Sequence, residues 1–444
     1  MKRILSYIVV LGVVAGLLRA VGPTNAAVAP DAEAAPSPVL LRPFNKMVLD
    51  SSANIISDSA RSLDAFYSRL AGLKTARIND GTNVVSVFHL GDSHIQAGFL
   101  TGTVMRNFHR DFGNAGRGLI TPLKMAKTNE PSDYIIRSGK TWESTRLVQA
   151  NRPYPIGVGG VSIATRESNF SLMISALEKE ETEDYSFNRV QILKYPGAPE
   201  LNVDDPELHA TASYVIDESP YLSKIVLNQK VSELNLSGNA GTKRDSSIYF
   251  GFVLENTRNG VLYHSAGING AQFVHWTRPE TFSEQAAILA PDLIILSMGT
   301  NEAQSARGFS RERFTAQIDT VVCLLRESNP DAVLLFTTPP ESFLRQRVNR
   351  QTVYIPNPHI EEVSDVIRCY AARHGYACWD LYTIAGGKGS CELWKAEGLF
   401  GRDHLHFTAE GYNTLGNYLY RALAKGYNRY VQDHYGEPAP HTEI

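Results

Sequence analysis

The chain has 444 residues, 43% of them hydrophobic and 20% charged, the proportions of an ordinary globular protein. Its 43 basic and 46 acidic side chains leave a formal net charge of −3, so composition favours neither nucleic acid nor an anionic membrane surface as partner. The length is too great for one small domain and predicts two or three.

Lys2 and Arg3 precede the apolar run 4–18, and Ala26 and Ala27 follow as small residues at a cleavage site. That pattern predicts an export signal over residues 1–26. The run is short for a membrane span and no second candidate follows, so the mature chain is expected in the periplasm, at the cell surface or outside the cell, without a stable span. No cysteine near the cleavage region supports a lipid anchor. Pro30, Pro36, Pro38 and a run of alanines make residues 27–44 a linker. Residues 49–74 read as a helix with Ile55, Ile56, Leu63, Phe66, Leu70 and Leu73 on its apolar side.

Residues 85–90 form a short apolar run of β-formers ending at a glycine, which predicts a buried strand. Gly91-Asp92-Ser93-His94 breaks it, and a helical segment follows to about Phe112. A serine on such a turn projects from the carboxyl edge of an open sheet, where α/β proteins place their sites. Arg117, among Gly113, Gly116 and Gly118, reads as a substrate or loop-stabilising contact; the order of strand, glycines and helix that a phosphate cradle needs is absent.

From residue 124 to residue 256 the helical rhythm stops. Runs 168–177, 187–195, 210–215, 221–236 and 247–254 are β-like and separated by polar or glycine-rich turns. They predict an all-β, sandwich-like domain inserted into the α/β domain, whose parts are then 45–123 and 257–430, with a tail at 431–444. Tyr134, Trp142, Tyr154, Tyr185 and Tyr195 are candidates for stacking on sugar rings, although each is read first as core or scattered surface. Beyond the insert, strands are expected at 261–265, 293–297, 333–336 and 378–382. Helices are expected at 282–289, 312–327, from Pro358 to about Gly375, and from Ala409 behind an N-cap at Thr408. Alternation of this kind builds a parallel sheet covered on both faces. Cys323, Cys369, Cys378 and Cys391 allow three disulfide connectivities in an exported chain and fit no zinc spacing, so a structural role is expected.

Three further blocks stand in order behind Ser93. Gly267-Ile268-Asn269-Gly270-Ala271 and Met298-Gly299-Thr300-Asn301-Glu302 each follow an apolar run, and Asp403-His404-Leu405-His406 precedes the last helix. An acid that orients an imidazole, and an imidazole that deprotonates a serine, make an activated hydroxyl nucleophile. Asp403 and His406 are three apart, which on a helical turn puts them on one face. A glycine N–H and an asparagine carboxamide are suitable donors to an oxyanion. Each residue also has an ordinary reading: Ser93 or Asn301 as turn support, Gly270 for its backbone angles, His406 as a satisfied structural histidine. Asp403, His404 and His406 lack the further donors that zinc would want, and no metal or cofactor is expected.

The four blocks GDSH, the glycine block, GTNE and DHLH resemble the SGNH (GDSL-like) hydrolase superfamily, and histidine in the fourth place of the first block resembles the branch of bacterial peptidoglycan O-acetylesterases. The resemblance spans residue 85 to about residue 424. It implies a flavodoxin-like parallel sheet between helices, with an inserted carbohydrate-module-like β domain. It further implies a catalytic set of Ser93, Asp403 and His406, oxyanion donors at Ser93, Gly270 and Asn301, and supporting positions at Asp92, His94 and Glu302. The expected function is an exported serine esterase that removes O-acetyl groups from a cell-envelope glycan, peptidoglycan first, through an acyl-enzyme. Alternatives are an acyltransferase or a broader carbohydrate or lipid esterase with the same triad and, from another class, a glycan-binding protein with a vestigial esterase domain. A histidine base must be neutral, so activity is expected to fall below about pH 6–7, the range of the reference imidazole.

Overall fold

The structure, a computed structural model, describes residues 35–41, 52–75, 83–178, 184–217, 219–242, 245–304 and 308–436. The expected export signal, most of the linker and the end of the tail lie outside the described residues.

Five strands form a parallel sheet in the order Gly260–Gly267, Val84–Gly91, Leu293–Ser297, Val333–Thr337 and Ala377–Trp379. Every pair in it runs parallel. Both faces of the sheet are buried, and strand periodicity divides its side chains between two cores. Val85, Val87, Ile295 and Leu335 join Phe66, Phe108 and Leu415 on one side. Phe88, Leu90, Ile294 and Phe336 join Phe314, Val321 and Ile367 on the other. The helices that supply these cores include Asp64–Thr75, Phe99–Phe112 and Ala409–Tyr435 on the first face, and Arg311–Ser328 and Ile360–His374 on the second. The fold is the doubly covered α/β sheet expected, with an antiparallel β domain inserted after the first strand.

The insert is a pair of antiparallel sheets. One runs Glu143–Arg146, Val161–Thr165, Ser247–Glu255, Phe187–Lys194, Leu222–Val231, Ser213–Ile216, with Gly118–Ile120 also paired to Ser247–Glu255. The other runs Tyr134–Arg137, Asn169–Ala176, Glu233–Asn239, Leu201–Val203. Phe170, Leu172, Ile174, Leu234 and Leu236 alternate along the second sheet and pack with Ile163, Val190, Ile192, Ile225 and Tyr249 of the first. Arg117 belongs to this construction: it is 3% exposed, its Nη2 donates to Asp133 Oδ1 at 3.0 Å, and its guanidinium lies over the Tyr134 ring. It is a structural contact and does not reach substrate.

Several expectations are corrected. The first helix starts at Asp64, because Asp58 accepts hydrogen bonds from the N–H groups of Ser62 and Leu63 and so turns the chain before a helix can form; Ile55 is exposed. Residues 206–211 form a short helix capped by Asp205, where β structure was expected from 210. The last strand ends at Trp379 and is followed by a helical turn, Leu381–Ile384. The final helix continues to Tyr435, past the residue where the tail was expected to begin. All four cysteines are free, Cys378 and Cys391 buried, Cys323 and Cys369 exposed. The first reading of the insert aromatics as core holds for Tyr134, Tyr154 and Tyr185, which are buried, and for Trp142, which packs edge-on against Phe170 and Tyr249, while Tyr195 is half-buried.

Candidate active site

The central strand Val84–Gly91 delivers Ser93. Gly91 has no room for a side chain, since a Cβ there would lie 2.3 Å from Ile95 Cγ1 and 2.8 Å from the Ser297 carbonyl. Asp92 caps the one-turn helix Ser93–Gln96 by accepting from the His94 N–H at 2.9 Å. Gly98, in the left-handed region at φ +75°, then separates that turn from the long helix Phe99–Phe112. The neighbouring strand ends at Gly267, where a Cβ would meet Gln96 N at 2.4 Å and the Asp92 carbonyl at 2.7 Å. Glycine at this position lets two chain segments approach within backbone contact.

Asp403 and His406 reach the serine from the far end of the chain. His406 Nε2 lies 2.9 Å from Ser93 Oγ, and His406 Nδ1 lies 2.7 Å from Asp403 Oδ2. The pair sits in a turn, not in the helical turn expected. Asp403 Oδ1 accepts the N–H groups of Leu405 and His406 at 3.1 and 3.0 Å, which folds the segment so that Oδ2 faces the imidazole. Burial raises the Asp403 pKa, but the hydrogen bonds from the His406 ring and from both N–H groups outweigh it and hold the carboxyl below its usual range. With Asp403 charged, the proton of His406 belongs on Nδ1 and the lone pair on Nε2 faces the serine hydroxyl.

The oxyanion candidates are placed unequally. Ser93 and Gly270 N–H groups have no acceptor among the described residues, and Gly270 is exposed at φ +79° with open space around it. The Asn301 carboxamide is committed: Nδ2 donates to the Ala271 carbonyl at 2.9 Å and makes a longer contact of 3.4 Å to Asp92 Oδ2. The second contact is near the limit of a hydrogen bond and is the one a substrate oxygen can displace.

Asp92, His94 and Glu302 stand behind this surface. Burial pushes Asp92 up to about 7, opposed by the His94 N–H. Burial pushes Glu302 up to about 8, and Asp92 adds to the rise; its Oε1 accepts the Phe273 N–H at 2.8 Å while Oε2 is buried with no partner among the described residues. A protonated carboxyl fits that environment better than an ion. His94 Nδ1 meets the Tyr412 hydroxyl at 2.9 Å, and its ring centroid is 5.4 Å from that of His406. Burial, with His406 adding, lowers His94 to about 3, so it is a neutral spacer beside the base. A cavity of about 30 Å³ lies behind the turn, lined in part by Asp92, His94, Thr300 and Tyr412, with space for roughly one water.

One cluster was not anticipated. Gln96 Nε2 donates to the Thr128 hydroxyl and the Asn129 carbonyl, its Oε1 accepts the Asn269 N–H at 2.5 Å, and Asn269 Nδ2 donates to Asn129 Oδ1 at 2.7 Å. The segment leading into the insert is thereby tied to the serine turn and the glycine block. Asn269 stands inside the glycine block and Gln96 two residues behind His94, but nothing local marks Asn129 as their partner. Among the described residues no group of His, Cys, Asp and Glu side chains is arranged to hold a metal ion.

A sequence model of the GDSL-like lipase/acylhydrolase family matches residues 238–414, which hold Gly270, Asn301, Asp403 and His406. Residues 238–414 thus resemble a GDSL-like lipase/acylhydrolase domain. Ser93 falls outside the matched span because the β insert separates it from the other blocks. No curated protein sequence matches the chain significantly. Among solved structures, a peptidoglycan O-acetylesterase superposes with a TM-score of 0.66 at 22% identity, over 86% of this chain and 99% of that one. Its fold is shared across both the hydrolase domain and the insert. A lipase/acylhydrolase from Enterococcus faecalis matches 37% of this chain and 77% of its own at 21% identity and a TM-score of 0.28. An acetyl xylan esterase matches 37% and 81% at 18% identity and 0.29.

Proposed function

We propose that the chain is a serine O-acetylesterase acting on a cell-envelope glycan, with O-acetylated peptidoglycan as substrate. The observation that carries the chemistry is the hydrogen-bonded line Asp403–His406–Ser93, with contacts of 2.7 and 2.9 Å, the second joining residues 313 positions apart. His406 Nε2 takes the Ser93 proton as Oγ attacks the acetyl carbonyl, and Asp403 stabilises the imidazolium. The Ser93 and Gly270 N–H groups receive the oxyanion, joined by Asn301 Nδ2 as it gives up its longer contact to Asp92. The imidazolium returns its proton to the departing sugar oxygen, leaving an acetyl ester on Ser93. Water, deprotonated by the same histidine, then releases acetate and restores the serine.

The substrate proposal is supported by the fold shared with a peptidoglycan O-acetylesterase along almost the whole of that chain, insert included, and by the export signal expected of residues 1–26. Acetate release from O-acetylated peptidoglycan and from acetylated xylan, by the intact chain and by Ser93→Ala, tests it. Serine-dependent release from peptidoglycan is the expected result. Release confined to xylan would keep the chemistry and overturn the substrate.

A further inference from the structure

The hairpin formed by Phe343–Val348 and Gln351–Pro356 was not anticipated from the sequence and takes no part in the chemistry above. Its base is fastened to the catalytic turn. The Phe343 N–H donates to the His404 carbonyl at 2.9 Å, Gln304 Nε2 donates to the Phe343 carbonyl at 3.1 Å, and the Tyr354 ring stacks on the His404 imidazole with centroids 4.4 Å apart. His404 is the residue next to Asp403 and two before His406.

Register fixes what else that face carries. Arg345 lies opposite Tyr354, and Arg347 opposite Thr352. Alternate strand residues share a face, so Arg345 and Arg347 lie on the same side as Tyr354, the side that meets His404. Two residues advance a strand by about 7 Å, so the arginines step outward from the triad. Arg345, Arg347 and Arg350 are all exposed, form no ion pair among the described residues, and share the hairpin with no acidic residue. Three unpaired positive charges thus stand together on a protein whose net charge is −3.

The tip gives an independent sign. Asn349 and Arg350 both have positive φ, +50° and +67°, in a two-residue turn for which Asn-Gly is the favoured pair. Arginine is strained there and glycine is not, so the position keeps its charge against backbone preference.

We infer that the hairpin is a binding arm for carboxylate groups on the glycan whose ester lies at Ser93, with Arg345, Arg347 and Arg350 holding the acidic substituents. The inference rests on the ester-hydrolase reading of the triad and extends it from the ester to the polymer. Guanidinium groups pair with carboxylates in a two-pronged geometry, and a neutral polysaccharide offers them no counterion. The arm therefore selects acidic glycan strands over neutral ones.

The test is binding of the whole chain to soluble peptidoglycan strands stripped of O-acetyl groups, compared with the same strands after their carboxylates are amidated. These probes contain no ester, so the result is independent of acetate release, which reports on the proposed function. The expected result is binding about tenfold tighter to the acidic strands at low salt, from three exposed charge contacts, and a preference that shrinks as salt rises. R345Q/R347Q/R350Q should lose the preference while keeping an unchanged melting curve, and R345K/R347K/R350K should regain part of it. Equal binding to both strands by the unmutated chain, or a preference that survives the glutamine variant, would overturn the inference. So would arginine-dependent binding to anionic lipid vesicles without any strand preference, a result that exposed Val348 and Ile355 on the opposite face would then explain.

Discussion

At the scale of single residues, the site separates groups that do chemistry from groups that hold them. Asn301 is the sharpest case, because its carboxamide already serves Ala271 and Asp92. Asn301→Ala should lower kcat on a small acetate ester by about 10²- to 10³-fold, the usual cost of one oxyanion donor, with little change in KM. An unchanged kcat would remove Asn301 from the oxyanion site. Glu302 makes a different prediction. Its carboxyl titrates near 4.5 as a reference group and near 8 in the fold, so across that window the unfolded chain has lost a proton that the folded chain keeps. Stability must then fall as pH rises between those values. Glu302→Gln should melt progressively higher than the unmutated chain between pH 5 and pH 8, and parallel melting curves would show that Glu302 does not hold its proton. The roles proposed for Ser93 and His406 were legible because they stand in short ordered blocks. The Tyr412 partner of His94 was not, since the two are 318 residues apart and only packing joins them.

At the scale of elements, the glycines of the second block divide cleanly. Gly267→Ala should reduce activity by about 10²-fold and destabilise the chain by about 1–3 kcal/mol, because the new methyl would push into the backbone of the serine turn. Gly270→Ala meets open space and should cost about 1 kcal/mol through its positive φ alone. Activity and urea melts of both variants check the contrast, and equal losses would contradict it. The apolar strands of the central sheet were readable because both faces are buried and their runs are continuous. The arginine hairpin was not, because arginines occupy one face, glutamines interrupt the aliphatics on the other, and its turn lacks glycine. The stretch before Asp64 misled for the opposite reason: hydrophobic residues stood at helical spacing, while Asp58 held the backbone in a turn and Ser57 bridged to Cys378.

At the scale of the molecule, the β insert is bound to the hydrolase domain through buried polar contacts as well as apolar ones. Asp133→Ala leaves the Arg117 guanidinium buried without its counterion and should destabilise the chain by about 3–5 kcal/mol in urea unfolding. A loss below about 1 kcal/mol would mean that the pair adds little to the stability of the insert. The presence of the insert was legible from the distance between Ser93 and Gly270, far longer than one crossover needs, while which of its aromatics are buried and which half-buried was not, since burial is a property of the fold. The account as a whole depends on Ser93 being activated by His406 across that insert. The most direct measurement is covalent labelling of the whole chain with a fluorophosphonate, followed by peptide mapping. Stoichiometric label on Ser93 that is lost in His406→Ala is the predicted result. Label on another residue, or an undiminished rate of labelling without His406, would contradict it.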